Sequence, residues 1–215
     1  MAACIWTIVV AAGSGSRFGR LKQYETLGDR RVLDWALEAA RAVSEGIVLV
    51  VPPDAASRRE PGVDAIVPGG ATRSQSVRAG LAAVPNEADV IVIHDGARPL
   101  APVSLFDAVV AEVDRGADAA IPGVVPASTI KRIDKKRRVA ETLDRDALVE
   151  VQTPQAFRAA ALRAAHQDEP EATDDAGLIE ATGGVVGVVD GDPRNIKITH
   201  PHDLDVARSL LASRP

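Results

Sequence analysis

The chain has 215 residues, 46% of them hydrophobic, which is enough to bury one sizeable core and predicts a single domain over 1–215. Its formal net charge of −5 argues against general nucleic-acid binding, because a polyphosphate partner favours a basic surface. The apolar runs are far shorter than the roughly 20 residues that a membrane span needs, and the chain begins almost directly with a strand-like segment, so we expect a cytoplasmic protein with neither a membrane nor a nucleic acid as partner.

Short segments rich in valine, isoleucine and alanine, each bounded by glycine, proline or aspartate, predict buried strands. In chain order they are 5–12, 46–51, 63–67, 89–93, 117–122 and 185–189. Apolar residues at three- and four-residue spacing predict helices at 32–43, 73–84 and 103–115. This alternation of strands and helices predicts an α/β fold with a doubly wound, mostly parallel sheet.

A small-residue loop that contains several cations, residues 11–23, follows the first predicted strand. Gly13 and Gly15 would let backbone amides approach phosphate oxygens, and Arg17 and Lys22 could neutralise the charge. The glycine spacing matches neither the dinucleotide fingerprint nor the P-loop. The pattern therefore favours a triphosphate that is attacked at its α-phosphorus, and a purely structural turn is the alternative.

Polar residues also occur where two further predicted strands end. Residues 69–76 could read a base edge through amides and hydroxyls, or could form an ordinary glycine turn with a helix cap at Thr72 or Ser74. Asp95 ends a continuous apolar strand, where a carboxylate is costly unless it meets a charge. It could bind Mg²⁺, pair with Arg98 or cap a helix. The neighbouring His94 is interpreted as a packing residue.

The regularity breaks at 128–148, where scattered apolar residues lie among lysines and arginines. This segment is too polar to bury, so we predict a protruding β-hairpin arm with its turn at 134–138. Such an arm usually needs a surface to rest on, which predicts a homodimer formed through the arm. A solvated surface loop is the alternative.

Two segments in the last quarter of the chain hold further candidates. Residues 173–175 are typical of a helix N-cap followed by acidic first-turn residues. Lys197 lies between two isoleucines in 195–199, and it would be partly desolvated if this segment is a strand. A buried lysine needs an anion.

Together the motifs resemble the 2-C-methyl-D-erythritol 4-phosphate cytidylyltransferases of the non-mevalonate isoprenoid pathway. The resemblance runs through nearly the whole chain and depends on the order of Ala-Ala-Gly-Ser-Gly-Ser-Arg from Ala11, Lys22-Gln23, Gly69-Gly70 with Arg73 and Ser76, His94-Asp95 with Ala97-Arg98-Pro99, Thr129-Ile130-Lys131, Asp144-Arg145, Gln152-Thr153-Pro154-Gln155, Thr173-Asp174-Asp175-Ala176 and Asn195-Ile196-Lys197-Ile198-Thr199. It implies a Rossmann-like nucleotidyltransferase sheet and a reaction that transfers a cytidylyl group from CTP to 2-C-methyl-D-erythritol 4-phosphate, with Mg²⁺ as the cofactor.

The resemblance also implies a role for individual residues. The CTP site would contain Ala11, Ala12, Gly13, Gly15, Arg17, Lys22, Gly70, Arg73, Ser76 and Asp95, with Asp95 also the metal ligand. The acceptor would contact Arg98, Thr129, Arg145, Thr153, Thr173 and Lys197. Among these, Arg17 and Lys22 would stabilise charge on the transferring phosphoryl group, and Arg145 and Lys197 would position the acceptor. Thr129 and Arg145 would reach into the active site of a neighbouring subunit.

Two other functions remain open at this point. A cytidylyltransferase for another polyol phosphate, such as ribitol 5-phosphate, would share the fold and the CTP loop. A non-catalytic nucleotide sensor would share the fold alone, but such a protein has no need for the acceptor-side cations Arg145 and Lys197.

Overall fold

The computed structural model describes residues 3–213, so four terminal residues of the predicted 1–215 domain lie outside the described residues. Within this range one eight-stranded sheet contains β1 (Ile5–Val10), β4 (Gly46–Val51), β5 (Ala65–Pro68), β6 (Val90–Asp95), β7 (Ala119–Val124), β10 (Glu150–Val151), β11 (Gln155–Arg158) and β12 (Val186–Asp190). Two smaller antiparallel pairs join β2 (Thr26–Leu27) to β3 (Arg30–Arg31) and β8 (Lys131–Ile133) to β9 (Val139–Thr142). The helices are α1 (Val32–Arg41), α2 (Arg73–Ala83), α3 (Val103–Asp114), α4 (Ala159–Ala165), α5 (Ala176–Ala181) and α6 (Pro201–Ala212).

The large sheet is mostly parallel, as the alternating pattern predicts. Its strands pair in the order β10-β7-β11-β6-β1-β4-β5, and β12 pairs parallel with β7. Strand β11 runs antiparallel between β6 and β7, and β10 is antiparallel to the end of β7. The predicted α/β class is confirmed, and each predicted strand and helix is present with its ends shifted by at most a few residues.

Helices cover both faces of the sheet, which is why its central strands are continuous apolar runs. Successive side chains of a strand point to opposite faces. Val9 therefore belongs to one buried cluster with Leu37 of α1 and Phe106 of α3. On the other face, Ile8 packs with Val77 of α2 and shares its cluster with residues of α4 and α5. None of the helices within residues 3–213 has the length and hydrophobicity to cross a bilayer.

The predicted hairpin is present at β8–β9, and its turn is at 134–138. Asp134 organises the turn, because its carboxylate accepts hydrogen bonds from the backbone N–H groups of Lys136 and Arg138, each at 2.9 Å. Arg137 takes a left-handed conformation with φ 60°. Both strands of the arm are exposed along their whole length in this single chain.

Candidate active site

A cavity of about 400 Å³ opens at the carboxyl ends of β1 and β6, against the start of α2. It brings together every residue predicted for the triphosphate site except Gly15, namely Ala11, Ala12, Gly13, Arg17, Lys22, Gly70, Arg73, Ser76 and Asp95, and it adds Lys197. Burial lowers the pKa of Lys22, and the charges of Lys197 and Arg17 lower it further. Four cations, Arg17, Lys22, Arg73 and Lys197, therefore converge on one pocket, which suits a polyanionic ligand.

The loop after β1 has its shape because of two residues beneath the cavity. Gly15 has φ +68°, and a Cβ on it would collide with the backbone oxygen of Arg20, so Gly15 shapes the loop rather than lining the cavity. Gln23 is buried, and its amide donates hydrogen bonds to the backbone oxygens of Ala11 at 2.8 Å and Gly13 at 3.3 Å. Gln23 belongs to a 3-10 turn that also contains Lys22, so this contact holds Lys22 beside the loop.

The opposite wall is the turn before α2. Gly69 lets this turn approach Ala12, where a Cβ would collide. Thr72 caps the helix by accepting the N–H of Gln75 at 3.1 Å, and the hydroxyl of Ser76 donates to the backbone oxygen of Thr72 at 2.9 Å and accepts the N–H of Gly70 at 3.2 Å. The capping interpretation of Thr72 is confirmed, and the same geometry points a helix N-terminus at the cavity, where it favours an anion.

Asp95 and Lys197 form an ion pair at the inner edge of the cavity. Lys197 Nζ lies 2.7 Å from Asp95 Oδ2, and Arg98 Nε lies 3.7 Å from the same oxygen. Burial by itself raises the pKa of Asp95, but Lys197, Arg73 and Arg98 offset this and lower it to about 2, so the carboxylate stays ionised. The ion pair between Asp95 and Arg98, one of the alternatives that the sequence allowed, is present. Asp95 is also the anion that the sequence required for Lys197.

Residues 195–199 do not form the strand in which Lys197 would have been partly desolvated. No strand is assigned there, and the segment is held instead by tertiary hydrogen bonds: Ile198 N donates to the backbone oxygen of Ala97 at 2.8 Å, and Asn195 Nδ2 donates to that of Thr153 at 2.9 Å. The Lys197 side chain keeps 39% exposure because it lies at the rim of the cavity rather than inside a sheet.

A second cavity of about 330 Å³ adjoins the first, because Arg73, Asp95 and Lys197 line both. It brings together four of the predicted acceptor residues, Arg98, Thr153, Thr173 and Lys197. Two anionic ligands, one in each cavity, would therefore meet at the shared cations. This is the arrangement that a transfer between two phosphorylated molecules requires.

The buried His94 holds Thr153, which lines the smaller cavity. Its Nε2 lies 3.2 Å from the backbone oxygen of Arg98, an acceptor, so Nε2 carries the proton and Nδ1 is free to accept. The Thr153 hydroxyl, 3.1 Å from Nδ1, then donates to His94 and accepts the backbone N–H of Asp95 at 3.0 Å. Burial lowers the pKa of His94 to about 4, which keeps the ring neutral. The packing interpretation is right, and His94 also fixes Thr153.

Two predicted acceptor residues lie elsewhere. Thr129 and Arg145 line neither cavity of their own chain, and Arg145 is exposed on the arm, where it donates to the backbone oxygen of Ala127 at 2.9 Å. The predicted cap at 173–175 is only partly present. Asp174 accepts the N–H of Gly177 at 3.1 Å, whereas the side chain of Asp175 points away from the helix start and pairs with Arg73 at 2.6 Å.

The residues present fit one kind of metal site. Within residues 3–213, no three histidine, cysteine or acidic side chains come together as a metal-binding group. Asp95 is an ionised carboxylate that lines both cavities. Mg²⁺ commonly takes one or two carboxylates and completes its shell with water and substrate phosphates, so a single carboxylate of this kind fits it.

Comparison with known proteins gives consistent matches over nearly the whole chain. A family model described as IspD, 2-C-methyl-D-erythritol 4-phosphate cytidylyltransferase, matches residues 5–213. The protein of that name from Frankia casuarinae is 44% identical, over 95% of this chain and 80% of the relative. Among solved structures, 4-diphosphocytidyl-2C-methyl-D-erythritol synthase from Anaerococcus prevotii superposes with a TM-score of 0.84 at 31% identity, over 98% of this chain and 99% of that one. The 2-C-methyl-D-erythritol 4-phosphate cytidylyltransferase from Thermus thermophilus gives 0.82 at 33% identity, over 99% and 100%.

Proposed function

The chain belongs to the 2-C-methyl-D-erythritol 4-phosphate cytidylyltransferase family, and from this premise we infer how its two cavities perform the reaction. The enzyme transfers the cytidylyl group of CTP to 2-C-methyl-D-erythritol 4-phosphate in isoprenoid precursor biosynthesis. The products are 4-diphosphocytidyl-2-C-methyl-D-erythritol and pyrophosphate. The observation that carries the assignment of roles is the junction of the two cavities at Arg73, Asp95 and Lys197.

We propose that CTP occupies the larger cavity. The backbone of the loop after β1 would hold the triphosphate, with Arg17 and Lys22 neutralising charge on the α-phosphate and on the leaving pyrophosphate. The convergence of these cations supports this role. Gly70 and Ser76 would lie beside the nucleoside, because Gly70 in the turn before α2 is hydrogen-bonded to Ser76 in the first turn of the helix and both line the larger cavity.

The methylerythritol phosphate would occupy the smaller cavity, with Lys197 and Arg98 directing its phosphate towards the larger one. One oxygen of that phosphate forms a bond to the α-phosphorus of CTP. The bond from the α-phosphorus to the bridging oxygen breaks, and pyrophosphate leaves with the electron pair. The attacking oxygen is already ionised near neutral pH, so positioning and charge neutralisation suffice without a general base.

We propose Mg²⁺ as the cofactor, with Asp95 as the residue that would hold it. When bound, the ion neutralises charge on phosphate oxygens of the nucleotide. The low pKa of Asp95 supports this, because a metal ligand must be deprotonated, and Asp95 is ionised at any physiological pH.

We also propose a homodimer in which the arm of each subunit completes the acceptor site of the other with Thr129 and Arg145. A group of exposed valines on or beside β10 and β12 supports it. The exposed fractions of Val149, Val151 and Val188 are 40%, 39% and 55%. Apolar side chains grouped at a sheet edge favour a protein partner. The cytoplasmic location stays a prediction.

The reaction is tested by measuring pyrophosphate release from CTP and Mg²⁺ with methylerythritol phosphate and ribitol 5-phosphate in parallel. Release with the first alone is expected. Release with ribitol 5-phosphate alone would overturn the acceptor assignment and keep the fold and the nucleotide site. Binding of CTP with no release from either acceptor would favour a nucleotide sensor.

The shared site is tested by subunit complementation. Arg145→Ala and Lys197→Ala homodimers are each expected to be nearly inactive. When the two variants are mixed and allowed to exchange subunits, half of the dimers become mixed, and one of the two sites in each contains both native residues. Activity should then return to about a quarter of the wild-type value. No recovery after verified exchange would place both residues in the site of one subunit.

A further inference from the structure

Arg73 lies at the junction of the two cavities and is also hydrogen-bonded to a buried carboxylate outside them. It begins α2, lines the larger and the smaller cavity, and its side chain is 24% exposed. Burial by itself lowers the pKa of its guanidinium, but Asp175 and Asp95 raise it, so Arg73 is permanently charged. Among the described residues, its one side-chain hydrogen bond is made through Nη1 to Asp175 at 2.6 Å. The remaining N–H donors are available to a ligand.

Asp175 is almost fully buried, with 1% exposure of its side chain, and both carboxylate oxygens have a partner. Oδ2 accepts from Arg73, and Oδ1 lies 3.1 Å from Nε2 of His166, which is itself buried. The imidazole therefore donates to the carboxylate and fixes its plane, and the carboxylate in turn fixes the guanidinium.

A structural link between the same segments exists without this pair. The Ser74 hydroxyl accepts the N–H of Ala172 at 3.2 Å, Arg78 donates to the backbone oxygen of Pro170 at 2.8 Å, and Glu171 accepts from the Thr72 hydroxyl at 3.0 Å. A buried carboxylate and imidazole are costly to desolvate and are not needed to hold 170–175 against α2.

We propose that Asp175, held by His166, is a positioning residue that orients the Arg73 guanidinium at the junction of the two cavities. There the guanidinium would contact phosphate oxygens as negative charge builds up between donor and acceptor. The pair acts on turnover through Arg73, and neither Asp175 nor His166 contacts substrate. This inference rests on the proposed roles of the cavities.

The experiment is a double-mutant cycle of Asp175→Asn with Arg73→Ala, measured as kcat and as KM for each substrate. Asparagine has the same shape as aspartate and lacks its charge. Asp175→Asn is expected to lower kcat by about 10- to 100-fold, with a smaller change in KM. A wrongly oriented Arg73 stabilises the transition state less, whereas substrate binding depends less on its orientation. In the Arg73→Ala background the same substitution should cause no further loss.

Glu171→Gln is the matched control, because Glu171 links the same segment to α2 without contacting Arg73. Its kcat should stay within about twofold of wild type. His166→Leu provides a second, independent variant if Asp175→Asn folds poorly by circular dichroism. It should lower kcat severalfold, and again not in the Arg73→Ala background.

The outcomes separate the positioning role from the reaction itself. The positioning role would be overturned if Asp175→Asn and His166→Leu both had wild-type kcat, or if their losses added to that of Arg73→Ala. The reaction assignment would stand in either case, as long as the unmodified enzyme turns over. Absence of turnover in the wild-type enzyme would overturn the assignment of the reaction.

Discussion

Replacing Lys197 with alanine removes the ammonium that lies 2.7 Å from the buried carboxylate of Asp95. The pKa of Asp95 is lowered from 3.8 to about 2, close to two units, even though burial alone would raise it. At about 1.4 kcal/mol per unit, the cations around Asp95 together stabilise its charged form by a net amount on the order of 2–3 kcal/mol. Lys197 is the largest contributor among them.

The share of Lys197 is reduced by solvent, because 39% of its side chain is exposed. Lys197→Ala should therefore lower the free energy of unfolding at neutral pH by about 1–2 kcal/mol, which corresponds to a fall in Tm of about 2–8 °C for a chain of this size. The stabilisation by ionised Asp95 is complete above about pH 4 and is lost as the pH falls towards 2. Without Lys197 the loss should be smaller and should end at a higher pH, because its onset is set by the unchanged pKa of the unfolded chain.

Turnover is expected to suffer more than stability, because Lys197 lines both cavities. Steady-state kinetics should show kcat lower by about 100- to 1000-fold, and calorimetry should show CTP affinity changed by less than about tenfold. Lys197→Arg is the control, since it restores the charge and hence the stability but not the geometry of the ammonium. Lys197→Ala with wild-type stability and wild-type kcat would refute the reasoning.

Three other predictions concern single positions. Gly15→Ala should weaken CTP binding at least about tenfold by calorimetry, because φ +68° and a backbone collision forbid a Cβ; unchanged affinity would contradict this. The free energy of unfolding of the wild type should fall by up to about 3 kcal/mol between pH 6.5 and about 4, because buried His94 resists protonation. His94→Gln should flatten this dependence in urea titrations and exposed His202→Gln should not; equal slopes in all three proteins would exclude His94. Val188→Lys should give a folded monomer by analytical ultracentrifugation, whereas Val206→Lys, at a comparably exposed site on α6, should remain a dimer; a dimeric Val188→Lys would move the interface elsewhere.

The fold class could be predicted because the periodicities that produce it are local. Runs such as 46–51 are buried on both faces and therefore contain apolar residues throughout, and α1 repeats its apolar residues at helical spacing. Strand β11 was not predicted, because it is four residues long and ends in polar residues, and its antiparallel place between β6 and β7 is a property of the sheet alone.

The position of the larger cavity could also be predicted from local sequence. The glycines and cations of 11–23 follow a strand directly, and the carboxyl end of such a strand is where an α/β sheet binds ligands. The hydrogen bonds by which Gln23 supports this loop could not be predicted, because the sequence around a glutamine does not indicate which groups its amide will contact.

The sequence by itself determined the main alternating strands and helices and the loop of small residues and cations after β1, because these properties depend on residues a few positions apart. The tertiary structure alone decided that Lys197 finds Asp95, that Asp175 holds Arg73, and that the two cavities meet at these groups. The two ion pairs each join residues about a hundred positions apart in the chain. Local spacing does not encode which charges the folded sheet will bring within hydrogen-bonding distance.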